Sequence, residues 1–227
     1  MKKNIIAVSL SIMLISNILM IAVIEILYLR SFIAMFLFST AIFILWKYYL
    51  KKQPYLYVKH IQQIYFLKTL PLVIVPLLGI IFLLLNQLSL NMGIISLMLL
   101  TSIATGVYEE LLFRGIVFGS FQQANINLKT AVLLSAALFS LIHVYTVTDY
   151  ETIDFLLKML NTFMMGVVFA YIYYITKNLL YIIMIHAIWD FESFLASTSP
   201  VGLHLSIVLF LLTIIYFIWS CRQINSK

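Results

Sequence analysis

Eight stretches of this 227-residue chain are apolar over a length that crosses, or nearly crosses, a lipid bilayer, and no other feature limits its fold so strongly. A helix needs about 20 apolar residues to cover the hydrocarbon layer. Inside that layer only helices and closed barrels satisfy their own backbone hydrogen bonds. The stretches are 4–29, 32–50, 69–86, 92–121, 128–147, 155–175, 179–194 and 203–220, the seventh being the shortest. With 64% hydrophobic and 10% charged residues, against about 25% charged in a soluble domain, a water-soluble globule is excluded. The expected fold is all-α: a polytopic membrane protein of about eight transmembrane helices, forming one integral membrane domain over 1–227.

The formal charge of +6 does not require nucleic acid, because the basic residues lie in short loops beside apolar spans. There they act as orientation signals. With the N-terminus inside, Lys2, Lys3, Lys47, Lys51, Lys52, Lys59, Lys68, Lys129, Lys177, Arg222 and Lys227 fall on the cytoplasmic side and only Arg30 and Lys158 outside. Both termini are therefore expected in the cytoplasm, with Asp149, Glu151 and Asp154 in an external loop. Lysine exceeds arginine, and Ile, Asn and Tyr are abundant, a composition associated with AT-rich bacterial genomes; the expected location is a bacterial cell membrane. Lys2 and Lys3 precede an apolar run too long for a signal peptide, without a small-residue cleavage site, so it reads as a retained first span. The single cysteine, Cys221, excludes an intramolecular disulfide and a thiolate metal cluster. Between 51 and 68, Tyr57, Val58, Ile61, Ile64 and Tyr65 recur at helical spacing, as an interfacial amphipathic helix or an extension of the third span.

Against this background Glu109, Glu110 and Arg114 stand out inside the fourth span. An ionised side chain at bilayer depth costs roughly 2.5–3.5 kcal/mol even on the lenient insertion scale, so such groups face a protein interior or a wet cavity and mark a candidate site. Two later spans carry polar residues in pairs four apart with a partner on the same face: His143 with the aromatic Phe139, and His186 with Asp190. Residues at that spacing share a helix face, whereas Glu109 and Glu110 are rotated by about 100° from one another. One glutamate can pair with Arg114 while the other faces a cavity as general base for a water. His143 could hold that water, and His186 with the side chain at 190 could stabilise an oxyanion. Asp190 can donate a hydrogen bond only when protonated; ionised, it orients or charges His186. At about 1.5 Å per residue, His186 and Glu109 reach similar depths in the inner half of the membrane, with His143 somewhat deeper.

Glu109-Glu110-x-x-x-Arg114, Phe139-x-x-x-His143 and His186-x-x-x-Asp190 correspond, in order, to EExxxR, FxxxH and HxxxN/D motifs. Over about 96–194 the chain resembles the CAAX prenyl protease and bacteriocin-processing family of intramembrane proteases (CPBP, or Abi). The resemblance implies that Glu109 activates water with help from His143. It implies that Glu110 and Arg114 stabilise the site, and that His186 with residue 190 forms the oxyanion hole. Eukaryotic prenyl-protein proteases carry asparagine where this chain has Asp190, which puts the hydrogen-bond role of that position in question. The glutamate mechanism requires no cofactor, and the HExxH zinc signature is missing; were zinc bound, Glu109, His143 and His186 would be its ligands.

The expected function is an intramembrane endopeptidase acting on a membrane-associated peptide or protein substrate in the lipid bilayer, with no nucleic-acid partner, in bacteriocin self-immunity or peptide maturation. The alternative is a non-catalytic bacteriocin immunity protein that binds the toxin or its receptor. A proton-coupled transporter is a weaker third reading, since no inverted repeat is evident.

Overall fold

In the computed structural model the described residues are 2–27, 61–86, 91–144 and 151–226, with five isolated positions between 33 and 44; side chains of the first segment are described for 6–19. Every described element is helical and none is a strand. In chain order they are α1 (Lys2–Leu27), α2 (Gln63–Thr69), α3 (Pro71–Asn86), α4 (Met92–Gln123), α5 (Leu128–Leu141), α6 (Thr152–Thr176), α7 (Leu179–Ser197) and α8 (Gly202–Asn225). Among the described residues α4, α6, α7 and α8 are long and apolar enough to span a membrane. The bent pair α2–α3 adds a fifth if it counts as one span. The protein is thus a multi-pass membrane protein. Outward-facing leucines and isoleucines such as Leu78, Leu85, Leu156, Leu211 and Ile215 are exposed, as expected of surfaces solvated by lipid.

The described residues cover the eight-span expectation only in part, and add local detail to it. Most of the stretch 32–50 lies outside the described residues, as do Tyr57 and Val58 of the proposed interfacial helix and Asp149 of the acidic loop. The part of 51–68 that is described is α2, bent 43° from α3. Pro71 has no N–H to continue the ladder there. The α5 helix stops at Leu141, followed by a 3-10 turn through Val144. At 1.5 Å per residue it is about 21 Å long, short of the ~30 Å hydrocarbon layer. Within α4 the backbone changes after Glu110 to a π-helical segment, Leu111–Phe118, which is buried throughout. Such segments favour functional sites.

The core forms where α4 meets α7 and where α5 meets α6, with α8 against α6 and α3 against α7. Leu112, Phe113 and Val117 of the π segment pack with Val132 and Ala136 of α5 and Val167 and Ile172 of α6. Two glycines set how closely these helices approach. A Cβ on Gly106 would lie 3.1 Å from the Ile183 carbonyl of α7, and one on Gly166 would lie 2.9 Å from the Ala136 Cα of α5. Small residues at such crossings let membrane helices pack backbone to backbone. The result draws the Glu109–Glu110 turn of α4 against His186 of α7.

Polar bonds hold α1 and α3 to this core. The Tyr108 hydroxyl donates to Asn17 Oδ1 at 3.1 Å, joining α4 to α1. Pro76 removes the N–H that would bond the Leu72 carbonyl four residues back. Trp189 of α7 supplies the missing donor, its Nε1 lying 2.7 Å from that carbonyl. The Tyr216 hydroxyl donates to the Lys68 carbonyl at 2.6 Å, and the Thr69 and Tyr181 hydroxyls lie 2.7 Å apart. The bend between α2 and α3 is thereby fastened from α7 and α8.

Candidate active site

The last α-helical turn before the π segment turns its two glutamates to different tasks. Glu110 is fully buried, and its Oε1 lies 3.0 Å from Arg114 Nη1 and 2.7 Å from His186 Nδ1. Glu109 lines a cavity of about 140 Å³ bounded by α4, α5, α6 and α7. The rotation between neighbouring helical residues thus makes one carboxylate structural and leaves the other facing open space.

Arg114, also fully buried, is held by more than its carboxylate. Its guanidinium lies 4.5 Å from the Phe139 ring centroid and 5.5 Å from that of Phe169, and Nη2 donates to the Gly166 carbonyl at 3.4 Å. A cation over an aromatic face gains about 2 kcal/mol when desolvated, against about 0.5–1 kcal/mol when exposed. Phe139 therefore does more than fill space: it covers the arginine, meets Phe113 edge-on at 5.2 Å and contacts the His143 ring at 5.3 Å.

A carboxylate can only accept, so the 2.7 Å contact to Glu110 places the Nδ1 proton of His186 on that bond. Nε2 is then the atom turned to the cavity, 3.7 Å from Glu109 Oε2 and 3.6 Å from Asp190 Oδ2. These gaps exceed a direct hydrogen bond, and a water seated in the cavity beside them can contact Nε2 together with either carboxyl. At about 30 Å³ per water, the cavity has room for four or so. The Asp190 side chain is 28% exposed and lines the same space.

His143 follows the end of α5, where unpaired helix carbonyls accumulate. Its Nδ1 donates to the Phe139 carbonyl at 2.9 Å, which makes Nε2 the lone-pair nitrogen of the neutral ring. It too lines the cavity. Glu109, His143, His186 and Asp190 are thus brought to one chamber, while Glu110 and Arg114 stand behind it. The three carboxyls face a single guanidinium, so the cluster is neutral only when two protons are shared among His186 and the acids. For the zinc alternative, no three His, Cys, Asp or Glu side chains among the described residues are grouped to hold a metal ion, including Glu109, His143 and His186.

The sequence reading missed several cavity residues: Thr105, Asn161, Thr162, Met165, Phe169, Trp189 and Ser193 also line it. Asn161-Thr162 is a polar interruption in an apolar span and was the available signal. Glu192 was also missed. It does not line the cavity but is buried against α3, without a hydrogen-bond partner among the described residues, and a Cβ on Gly79 of α3 would lie 3.1 Å from its Oε1.

Residues 91–192 match the model of the family described as type II CAAX prenyl endopeptidase Rce1-like. The matched segment contains every residue of the three motifs, in agreement with the resemblance read from them. No curated protein and no solved structure matches the chain significantly.

Proposed function

With residues 91–192 cast as a segment of the Rce1-like CAAX endopeptidases, we propose that this protein is an intramembrane endopeptidase that hydrolyses a peptide bond of a membrane-associated peptide or protein with a water activated by Glu109. The observation that carries this reading is the division of labour between adjacent glutamates: Glu110 is committed to Arg114 and His186, and Glu109 faces the cavity. A carboxylate so placed is within reach of a water that also contacts His186 Nε2.

Glu109 takes a proton from that water as its oxygen bonds to the scissile carbonyl carbon, and the carbonyl electron pair moves onto oxygen. The His186 imidazolium, its Nδ1 proton anchored on Glu110, donates from Nε2 to the oxyanion. Asp190 adds a second donor when protonated and otherwise keeps His186 charged. His143, its ring oriented by the Phe139 carbonyl, accepts from the water through Nε2. Glu109 then passes its proton to the amine nitrogen as the oxyanion re-forms the carbonyl and the C–N bond breaks, giving a carboxylic acid and an amine. No step requires a metal. On this reading the chamber lies in the cytoplasmic half of the membrane, which the distribution of basic residues supports.

Purified protein in detergent is expected to cleave members of a quenched peptide set that includes S-farnesylated and unmodified cysteine peptides. Glu109→Ala is expected to lower kcat by at least about a thousandfold, at the scale of losing a general base together with its positioned water. Its unfolding temperature should stay near that of wild type. Full activity in Glu109→Ala would remove this residue as base. In bacteriocin-sensitive cells, protection by wild type that is lost in Glu109→Ala would tie immunity to hydrolysis, whereas protection that persists would assign it to binding.

A further inference from the structure

Asn161 lies on α6 beside Met165 and Phe169, one and two turns further along the same face, and all three line the cavity. Its Oδ1 is buried with no hydrogen-bond partner among the described residues. Neighbouring Thr162 is already occupied, its hydroxyl lying 3.1 Å from Ser140 Oγ and 3.0 Å from the Met159 carbonyl. Ser193, at the cavity's other wall, is exposed. Exchanging the amide oxygen and nitrogen leaves one buried end equally unpaired. An unpaired buried amide is a standing cost, and in native proteins it signals a water, ligand or catalytic partner.

We infer that Asn161 reads the substrate's main chain, its side-chain amide pairing with a peptide group adjacent to the scissile bond. This deepens the endopeptidase reading and rests on it. A bond presented for attack must lie in extended rather than helical backbone, so the flanking N–H and C=O groups arrive at membrane depth without intrachain partners. A primary amide carries a donor and an acceptor in one plane, complementary to a peptide group. Being neutral, it satisfies that group without adding charge to a chamber that already holds Glu109 and Asp190. Asn161 would thus accept a substrate N–H through Oδ1, independently of the substrate's side chains. The assigned ligand class is an unfolded peptide segment recognised by its backbone.

The test uses Asn161→Leu in the full-length protein, with a quenched peptide that wild type cleaves in a Glu109-dependent manner and the same peptide carrying a backbone ester at each position flanking the scissile bond. Without substrate, the unfolding temperature of Asn161→Leu should equal or exceed that of wild type, because no protein partner is lost. A fall of several degrees would make Asn161 a structural residue and overturn the inference. With the all-amide peptide, kcat/KM should drop about tenfold, the scale of one hydrogen bond in a buried site. An ester that removes the recognised N–H should cost wild type a similar factor and cost Asn161→Leu nothing further. Independent losses at every ester position, or unchanged cleavage by Asn161→Leu, would overturn the inference while leaving the endopeptidase intact. Failure of wild type to cleave any peptide would instead overturn the endopeptidase reading and this inference with it.

Discussion

At the residue scale the site is organised around a buried ion pair whose partners both have a second role. Glu110 anchors Arg114 and fixes the tautomer of His186; Arg114 in turn joins the Phe139 and Phe169 faces of α5 and α6. Removing one member of such a pair strands the other charge without water, which costs about 3–5 kcal/mol, whereas removing both together costs less. Arg114→Met is therefore expected to destabilise the protein by about that amount in thermal unfolding, with part of the loss recovered in Arg114→Met/Glu110→Gln. Equal stability of Arg114→Met and wild type would show the pair to be dispensable for folding. The acidic and basic residues here were legible in the sequence, because charge inside an apolar span has few bland explanations. The same logic applied to Glu192 and was overlooked, since it sits two positions beyond Asp190 and points away from the motif's face.

At the scale of helices, the bent arm of α2 and α3 is connected to the catalytic helix through one exchange of hydrogen bonds. Pro76 orphans the Leu72 carbonyl, and Trp189 satisfies it from between His186 and Asp190 on α7. This bond resists rotation of α7 about its own axis, which would otherwise swing both cavity-facing side chains. Trp189→Phe keeps much of the ring volume but loses the donor. It should cost about 1–3 kcal/mol of stability and lower kcat more than it raises KM, because His186 would be misaligned rather than removed. An unchanged kcat would mean that α7 is held by packing alone. The i, i+4 pairs on α4, α5 and α7 were readable from spacing. The π segment after Glu110 was not, because sequence periodicity does not distinguish it from an α-helix of the same residues. The early end of α5 was hidden too: residues 128–147 carry no proline or glycine to stop a helix, and the helix ends where His143 turns back to the Phe139 carbonyl.

For the whole molecule, we propose that both termini lie on the cytoplasmic side, because that orientation puts most of the basic residues inside. A protease-cleavable tag after Lys227 should resist external protease in intact cells and be cut after permeabilisation; cleavage in intact cells would invert the topology and move the chamber to the opposite half of the membrane. The helices that form the site are those crossing at Gly106 and Gly166. These contacts are non-local, and no single span announces them.

The residues alone determined that this chain is helical, lives in a membrane and carries acid, base and imidazole groups on successive helices, because span length, charge cost and helical spacing are local properties. They left open what holds His186 in orientation, what holds α7 in register and which neutral side chains complete the chamber. Tertiary packing decided these: Glu110 of α4 fixes His186 through Nδ1, Trp189 reaches across to α3, and Asn161 is left with an unanswered amide oxygen. Each depends on how closely helices distant in sequence approach, and that distance is set by the whole assembly of side chains between them.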